Sequence, residues 1–318
     1  MKQIVEIPSA GGTLHGIVHH PAVARDRRVG VFVLPGLNNK FGAHRVLLDV
    51  ADGVARAGFY ALRYDSRGTC DSPGISVVTF ADRIADAGAA VAYFRREYRL
   101  NAVLGWGLCM GAAMALHCHT AAARPEERLD GLVLANILSE PSRVSVLEDG
   151  GAKIALPTLA RNILVHERPA RKLWGLITTR ENWTRKGPML LRSYLRRVPP
   201  ETKGLRAAVS QVRELLARHQ GPTLLIFGEK DPILKAFLEK VNPGDRLALF
   251  NRNVPAAWAV VRDGDHTFCS REQTAEVLGY TFQWAKPFLS GKLPNPADWP
   301  FSELGKRPEI AAEPTMGR

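Results

Sequence analysis

Short apolar runs alternate with helical segments along most of this chain, and this alternation constrains the fold more than any other feature. The runs have the length and the continuous apolarity of strands that are buried on both faces of a sheet. They cover residues 29–34, 59–64, 102–108, 132–137, 223–227 and 258–261. Because parallel strands need a long crossover between them, usually a helix, the pattern predicts an α/β fold built on a doubly wound, mostly parallel sheet.

Segments of helical character fill most of the gaps between these runs. Apolar residues at helical spacing or small residues mark residues 46–57, 81–98, 109–123, 234–241 and 271–288. Residues 2–20 instead predict two strands that turn at Gly11 and Gly12. We therefore expect a hairpin ahead of the parallel strands.

The alternation stops between residues 139 and 220, where basic helical segments replace it. We predict that residues 139–220 form a helical cap, inserted into a core that consists of residues 1–138 and 221–290. Residues 291–318 are rich in proline and predict a surface tail.

The positive charge of the chain is concentrated in the predicted cap. The chain has 43 Lys and Arg against 31 Asp and Glu, a formal charge of +12. Between Arg161 and Arg206, twelve basic residues stand against three glutamates, so this segment alone carries +9. Such a segment favours anionic partners. Two interpretations stay open: a solvated helical surface, and a docking site for an acidic partner.

Several classes of protein do not fit this sequence. Its four cysteines are too few and too scattered for a disulfide framework, and none forms a Cys-x-x-Cys pair. His117 and His119 flank Cys118, but residues two apart face different sides of a helix, so no metal or cofactor site is predicted. No apolar stretch approaches the roughly 20 residues of a spanning helix, and the first ten residues do not resemble a signal peptide. We expect a cytoplasmic protein without a transmembrane segment.

A glycine-flanked cysteine lies between a predicted strand and a predicted helix, in the sequence Gly107-Leu108-Cys109-Met110-Gly111. A sharp turn at this place would push the Cys109 side chain above the edge of the sheet, as in a nucleophile elbow. The start of the helix favours a thiolate, because unpaired amides and the helix dipole stabilise negative charge. The pattern predicts a nucleophile, and a buried, inert cysteine is the alternative.

Two further polar residues follow predicted strands at the same edge of the sheet. Asp231 comes after the fifth apolar run, and His266 lies in the loop after the sixth. Their order along the chain predicts a triad in which His266 is the base for Cys109 and Asp231 orients the imidazole. A structural loop histidine and a helix N-cap are the alternatives for His266 and Asp231. Glu140 is the reserve acid.

An acyl-transfer site also needs two hydrogen-bond donors that are aimed at the developing negative charge. The amide of Met110, directly after the predicted nucleophile, is one candidate. The turn Pro35-Gly36-Leu37-Asn38-Asn39 supplies the other. We predict the Leu37 amide, with Asn38 as the alternative if the register of the turn is shifted. Ordinary turn formation also explains the two asparagines.

These motifs together resemble the α/β-hydrolase superfamily. The resemblance rests on LPGLNNKFGAHR, FYALRYDSRGTCDSPG, GLCMG, FGEKD and GDHTF, which lie between residues 33 and 268. The nearest group is the hydrolases associated with bacterial exosortase systems, which the chain resembles in Gly42, His44 and Arg45, in the Arg-Tyr-Asp-x-Arg-Gly loop and in the Gly-Leu-Cys elbow. It is also similar to serine aminopeptidases and acyl hydrolases. One departure is Cys70-Asp71 where Gly-Asp is usual, which could place a second thiol near the site.

The resemblance and the predicted triad imply covalent acyl transfer. Cys109 would form an acyl thioester, which reacts more readily with amines, alcohols or thiols than an oxoester does. If the basic cap receives an acidic acyl carrier protein or the phosphates of coenzyme A, the protein is a thioesterase or acyltransferase. A small-molecule ester or lactone hydrolase and a non-catalytic ligand-binding homologue are the alternatives. No nucleic-acid motif is recognised, so no nucleic-acid partner is expected.

Overall fold

The computed structural model describes residues 1–23, 25–74, 79–137, 210–212, 214–216, 219, 221–234 and 256–294. The predicted cap therefore lies almost entirely outside the described residues. So do Glu140, nearly all of the helix predicted at residues 234–241, and the tail beyond residue 294. The inserted cap and the surface tail stay predictions.

In the described residues, eight strands form one sheet. They are β1 (Lys2–Ser9), β2 (Gly12–His19), β3 (Val29–Leu34), β4 (Tyr60–Tyr64), β5 (Ala102–Leu108), β6 (Gly131–Ala135), β7 (Thr223–Gly228) and β8 (Ala256–Val261). Their order across the sheet is β1-β2-β4-β3-β5-β6-β7-β8. Strands β3 to β8 pair in parallel, and the β1–β2 hairpin joins β4 in antiparallel fashion. The predicted hairpin and the mostly parallel sheet are confirmed.

Four α-helices lie wholly within the described residues: α1 (Val46–Arg56), α2 (Phe80–Glu97), α3 (Met110–Ala121) and α4 (Arg271–Ala285). Helical residues also occur at 210–212, 214–216 and 232–234. Capping boxes at Thr79 and Ser270 begin α2 and α4. The last helix ends at Ala285, before the predicted residue 288. The reason is Pro287, which has no amide hydrogen, and the chain continues as a 3-10 turn. None of these helices is long and apolar enough to cross a membrane.

The sheet is buried on both faces over much of its length. Every residue of β3, β6 and β7 is buried, as their continuous apolar runs predict. Helices α1 and α4 share one apolar core with the strands. Within this core the Trp106 indole donates a hydrogen bond of 3.2 Å to Thr281 Oγ1. Close packing of this kind makes the sheet a rigid support for the loops at its edges.

The register of the parallel strands brings their carboxyl ends level with one another. The paired residues near these ends are Leu34 with Gly107, Leu108 with Ala135, Ala135 with Ile226, and Gly228 with Val261. The segments that follow β3, β5, β6, β7 and β8 therefore meet at one edge of the sheet. We call this the carboxyl edge.

A buried ion pair anchors the turn after β3 to the end of β4. Lys40 Nζ lies 2.5 Å from Asp65 Oδ2, and the two side chains are 5% and 0% exposed. The Lys40 amide donates to Asp65 Oδ1 at 2.7 Å, and Arg63 Nη1 donates to the Lys40 carbonyl at 3.2 Å. Lys40 Nζ also pairs with the exposed Asp71. Two residues of the Arg-Tyr-Asp sequence thus hold the end of this turn in place.

We expect Asp65→Ala to lower the free energy of unfolding by about 3 kcal/mol or more, because the buried Lys40 ammonium loses its buried partner. Lys2→Ala is the control. It removes an exposed pair with Asp52 and should cost less than about 1 kcal/mol. Urea denaturation of both variants measures the difference. Equal losses of unfolding free energy in the two variants would show that burial of the Lys40–Asp65 pair does not add to stability.

Candidate active site

Cys109 lies at a sharp turn between β5 and α3. Its backbone has φ 56° and ψ −114°, a strained conformation for any residue with a side chain. Two close approaches of the backbone require the flanking glycines. A Cβ at Gly107 would lie 2.2 Å from the backbone of Gly111, and a Cβ at Gly111 would lie 2.7 Å from the Leu34 carbonyl oxygen. The glycine-flanked pattern therefore forms the elbow that the sequence predicts.

The structure corrects one detail of the elbow. The predicted helix began at Cys109, whereas α3 begins at Met110, because the positive φ of Cys109 excludes it from the helix. The Cys109 side chain is half-buried, so it remains accessible. The alternative interpretation, a buried and inert cysteine, describes Cys118 better than Cys109. Cys118 is buried within α3, and burial raises the pKa of its thiol to about 12.

His266 and Asp231 are joined by a short hydrogen bond. His266 Nδ1 lies 2.7 Å from Asp231 Oδ2, and the side chains are 31% and 1% exposed. The second carboxylate oxygen of Asp231 accepts a hydrogen bond of 2.9 Å from the Ile233 amide. One oxygen of Asp231 therefore holds the imidazole while the other caps the turn that follows. These contacts are compatible with both interpretations of Asp231, and its role as the orienting acid stays a prediction.

The His266 side chain interacts with Cys109 as well as with Asp231. Burial alone lowers the pKa of the imidazole, but side-chain hydrogen bonds and charge interactions with Asp231 and Cys109 more than offset it and raise the pKa to about 10. The surroundings of His266 therefore favour its imidazolium form. Since Nδ1 is bound to Asp231, Nε2 is left for the sulfur. Asp231 thus bonds to one nitrogen of the imidazole, and the interaction of the imidazole with Cys109 contributes to its raised pKa.

The turn after β3 lies against the start of α3. A Cβ at Gly36, where φ is 64°, would lie 2.8 Å from the Gly111 amide nitrogen. The Asn38 amide donates to the Pro35 carbonyl at 3.0 Å within the turn. This bond occupies Asn38 and leaves Leu37 as the better donor of the two amides. Met110 is the first residue of α3, so its amide has no acceptor within the helix. The oxyanion role of Leu37 and Met110 stays a prediction.

Asn136, which the sequence analysis did not single out, belongs to the same edge. The predicted strand at residues 132–137 ends at Ala135, and Asn136 follows it with φ 41°. Its buried side chain donates to the His266 carbonyl at 3.0 Å and accepts from the Gly228 amide at 2.8 Å. The sequence held one indication of this role, because Asn136 is a polar residue inside an otherwise apolar run.

The remaining polar candidates lie elsewhere or have structural partners. His117 packs edge-on against Phe80, and His119 Nδ1 bonds to the Leu129 carbonyl at 2.8 Å. Cys70 is exposed in the loop after β4. No group of three or more His, Cys, Asp or Glu side chains that could hold a metal occurs among the described residues. The reserve acid Glu140 lies outside them.

Solved structures with this fold match nearly the whole chain at low identity. An esterase from Pyrococcus furiosus is 15% identical, with a TM-score of 0.60 and 90% of each chain covered. The α/β hydrolase GrgF from Penicillium sp. sh18 is 17% identical, with a TM-score of 0.56, and covers 92% of this chain and 99% of its own. An α/β serine hydrolase without a lid from Xanthomonas campestris is 12% identical, with a TM-score of 0.53, covering 90% and 94%. These likenesses show the predicted α/β-hydrolase fold.

A comparison by sequence is more specific. No curated protein matches the chain. Residues 26–241, however, match the family Hydrolase_4, described as serine aminopeptidase, S33. The matched region is more than half of the chain, and it contains the elbow at Cys109 and the carboxylate of Asp231 while ending before His266. From this match and from the fold, the chain belongs to the serine aminopeptidase S33 family of α/β hydrolases.

Proposed function

We propose that this protein transfers acyl groups through a covalent intermediate on Cys109, as a thioesterase or acyltransferase. Two observations carry the proposal: the 2.7 Å bond between His266 and Asp231, and the interaction of the same imidazole with Cys109. A nucleophile, a base and an orienting acid in mutual contact are what covalent acyl transfer requires. A protein that only binds a ligand has no need of all three, so this arrangement favours an enzyme.

The reaction proceeds in two halves. The Cys109 sulfur, whose proton has passed to His266, attacks the carbonyl carbon of an acyl thioester. A carbon–sulfur bond forms, the bond to the leaving thiolate breaks, and His266 returns its proton to that thiolate. In the second half His266 takes a proton from the acceptor, which attacks the new thioester and releases Cys109. The amides of Leu37 and Met110 stabilise the oxyanion in both halves.

The charges around Cys109 support this chemistry. A positive His266 and the start of α3 both stabilise a thiolate. The buried Asp231 balances the imidazolium and keeps its ring in orientation. The family is described by a serine enzyme, whereas this chain has cysteine at its elbow. Sulfur favours acyl transfer, because its acyl intermediate stays reactive toward amines, alcohols and thiols as well as water.

The basic cap suggests how an acyl group is presented. The segment from Arg161 to Arg206 carries twelve basic residues against three glutamates. Such a charge attracts an acidic acyl carrier protein, or the phosphates of coenzyme A, over the range that salt does not screen. We propose that residues 139–220 are the part of the chain that receives this carrier.

Hydrolysis of a small ester or lactone is the second candidate function. The family match favours it, since members of the family are hydrolases. One structure with the same fold is an esterase, although its low identity speaks for the fold alone. The similarity of Gly42, His44 and Arg45 to the exosortase-associated hydrolases is compatible with either function.

Cys109→Ala is expected to abolish acyl-enzyme formation and to lower kcat/KM by about 10³-fold or more, because the nucleophile is lost. Intact-mass spectrometry after incubation with a panel of acyl thioesters and small esters detects the adduct. Cys269→Ala removes an exposed thiol close to His266 in sequence and should change neither adduct nor turnover. Full turnover by Cys109→Ala would rule out the proposed mechanism.

Cys109→Ser asks, within the same assay, whether sulfur is needed. We expect the serine variant to lose transfer to amine and thiol acceptors, because an oxoester is a poorer acyl donor than a thioester. His266→Ala should accumulate whatever acyl-enzyme it forms, since the acceptor is no longer deprotonated. A serine variant that transfers acyl groups as fast as the native protein would favour the esterase function instead.

Asp231→Asn is expected to lower the pKa of His266 from about 10, because it removes a negative charge from the imidazolium. The raised pKa means that this pair stabilises the native fold fully below pH 6.5, the unfolded value, and ceases to do so as the pH rises through about 10. Unfolding free energies measured across this range should therefore fall more steeply for the native protein than for Asp231→Asn. Asp263→Asn, an exposed change in the same loop region, is the control. If the unfolding free energies of the native protein and of Asp231→Asn changed with pH in parallel, Asp231 would not be the cause of the raised His266 pKa.

Added salt should raise KM for an acyl group on an acidic carrier protein and leave KM for a small acyl thioester unchanged, because salt screens surface charges beyond about 8 Å at physiological ionic strength. Arg185→Glu should act in the same direction at constant salt. Arg96→Glu makes the same charge change at an exposed position on α2 and should have no such effect. Turnover of carrier-bound substrate that is indifferent to salt and to Arg185→Glu would exclude docking on the cap.

A further inference from the structure

Asn136 occupies a central place at the carboxyl edge. It follows β6, which pairs with β5 on one side and with β7 on the other. These two neighbouring strands lead to the nucleophile and to the acid. The Asn136 side chain is fully buried, and its φ of 41° lies in the left-handed region, which asparagine tolerates better than most residues.

The hydrogen bonds of the Asn136 side chain go to the loop after β8 and to the last residue of β7. Its amide nitrogen donates to the carbonyls of Asp265, at 3.2 Å, and His266, at 3.0 Å. Its amide oxygen accepts from the Gly228 amide at 2.8 Å. The partners fix the orientation of the amide, because carbonyls only accept and an amide N–H only donates. Aspartate or leucine at this position cannot make the same set of bonds.

Backbone hydrogen bonds next to Asn136 extend these contacts to Cys109 and Asp231. The carbonyl of Ala135, one residue before, accepts a hydrogen bond of 2.9 Å from the Cys109 amide. Gly228, bound by the Asn136 side chain, accepts in turn from the Asp231 amide at 3.0 Å. Residues 135 and 136 thus bond directly to the nucleophile and to the histidine, and reach the acid through one intervening residue.

We propose that Asn136 is a positioning residue that holds the loops of His266 and Asp231 in register with Cys109. The proposal rests on the proposed function of these three side chains. Asn136 bonds to the backbone of His266 itself, so a displacement at Asn136 moves the imidazole relative to the sulfur. Misplacement of a reacting group by about 1 Å can cost on the order of 10²-fold in rate.

Two variants separate this role from ordinary stabilisation. Asn136→Gly removes the whole side chain but tolerates the positive φ. Asn136→Asp keeps an acceptor for the Gly228 amide and loses the donors to Asp265 and His266. Thr281→Val is the matched control, because it removes a buried hydrogen bond to Trp106 in the core. Melting temperatures of the three variants give the cost to the fold.

The deciding measurement is the titration of the His266 ring, followed by NMR and assigned by comparison with His266→Gln. We expect its midpoint to fall by about one pH unit or more in Asn136→Gly, because the contacts with Asp231 and Cys109 loosen. In Asn136→Asp the new carboxylate favours the imidazolium, so this variant is judged by its acylation rate. The rate of Cys109 acylation by an acyl thioester should fall by about 10-fold to 100-fold, mainly in kcat. Thr281→Val should leave the midpoint unchanged and the rate within about twofold.

The results distinguish failure of the inference from failure of the proposed function. If either folded Asn136 variant keeps the native His266 midpoint and acylation rate and only melts earlier, as Thr281→Val does, Asn136 is structural and the inference is wrong. If the native protein is never acylated at Cys109, the proposed function is wrong. The His266 titration then still decides whether Asn136 positions the imidazole, since it needs no turnover. Should Asn136→Gly fail to fold, the acylation rate of Asn136→Asp decides: a native rate contradicts the inference, and a fall of about 10-fold or more supports it.

Discussion

Parallel pairing of β3, β5, β6, β7 and β8 is the constraint on which the rest of this structure depends. The register of these strands sets their carboxyl ends level, so that loops from distant parts of the chain meet at one edge. Cys109, Asp231 and His266 each follow a different strand of this set. Because helices pack on the sheet and bury the central strands, the edge is rigid before any substrate arrives. The relative positions of these three side chains are therefore set mainly by the register of the strands and less by the loops that carry them.

Backbone strain is concentrated at the same edge. Outside glycine, positive φ angles in the described part of the chain occur at His44, Arg45, Cys70, Arg99, Cys109, Asn136, Asp263 and Phe268. All but Arg99 lie in segments that follow the carboxyl end of a strand. Each such residue costs on the order of 1 to 3 kcal/mol, which only a well-packed surrounding can sustain. The buried strands supply that packing, and the strained residues in return aim side chains such as Cys109 out of the sheet.

Two pairs of side chains support the loops of the carboxyl edge, each with a fully buried carboxylate. Lys40 with Asp65 secures the turn that carries Leu37, and the bond from Asp231 orients the imidazole of His266 and favours its imidazolium form. Within a family described by serine enzymes, a charged imidazole next to a cysteine changes what the elbow can do. In the proposed mechanism the cysteine passes its proton to His266 before it attacks, whereas a serine hydroxyl loses its proton only during attack.

Sequence by itself determined the sheet, its mostly parallel pairing and the three side chains that the carboxyl edge brings together. Those features depend on local patterns, namely continuous apolar runs, glycines beside Cys109, and polar residues directly after strands. Tertiary structure alone decided that Asn136 bonds to residues 92 and 130 positions away, that Lys40 is buried against Asp65, and which oxygen of Asp231 meets the imidazole. The physical reason is that these bonds join residues remote in sequence. No local pattern records their partners until the strands are aligned.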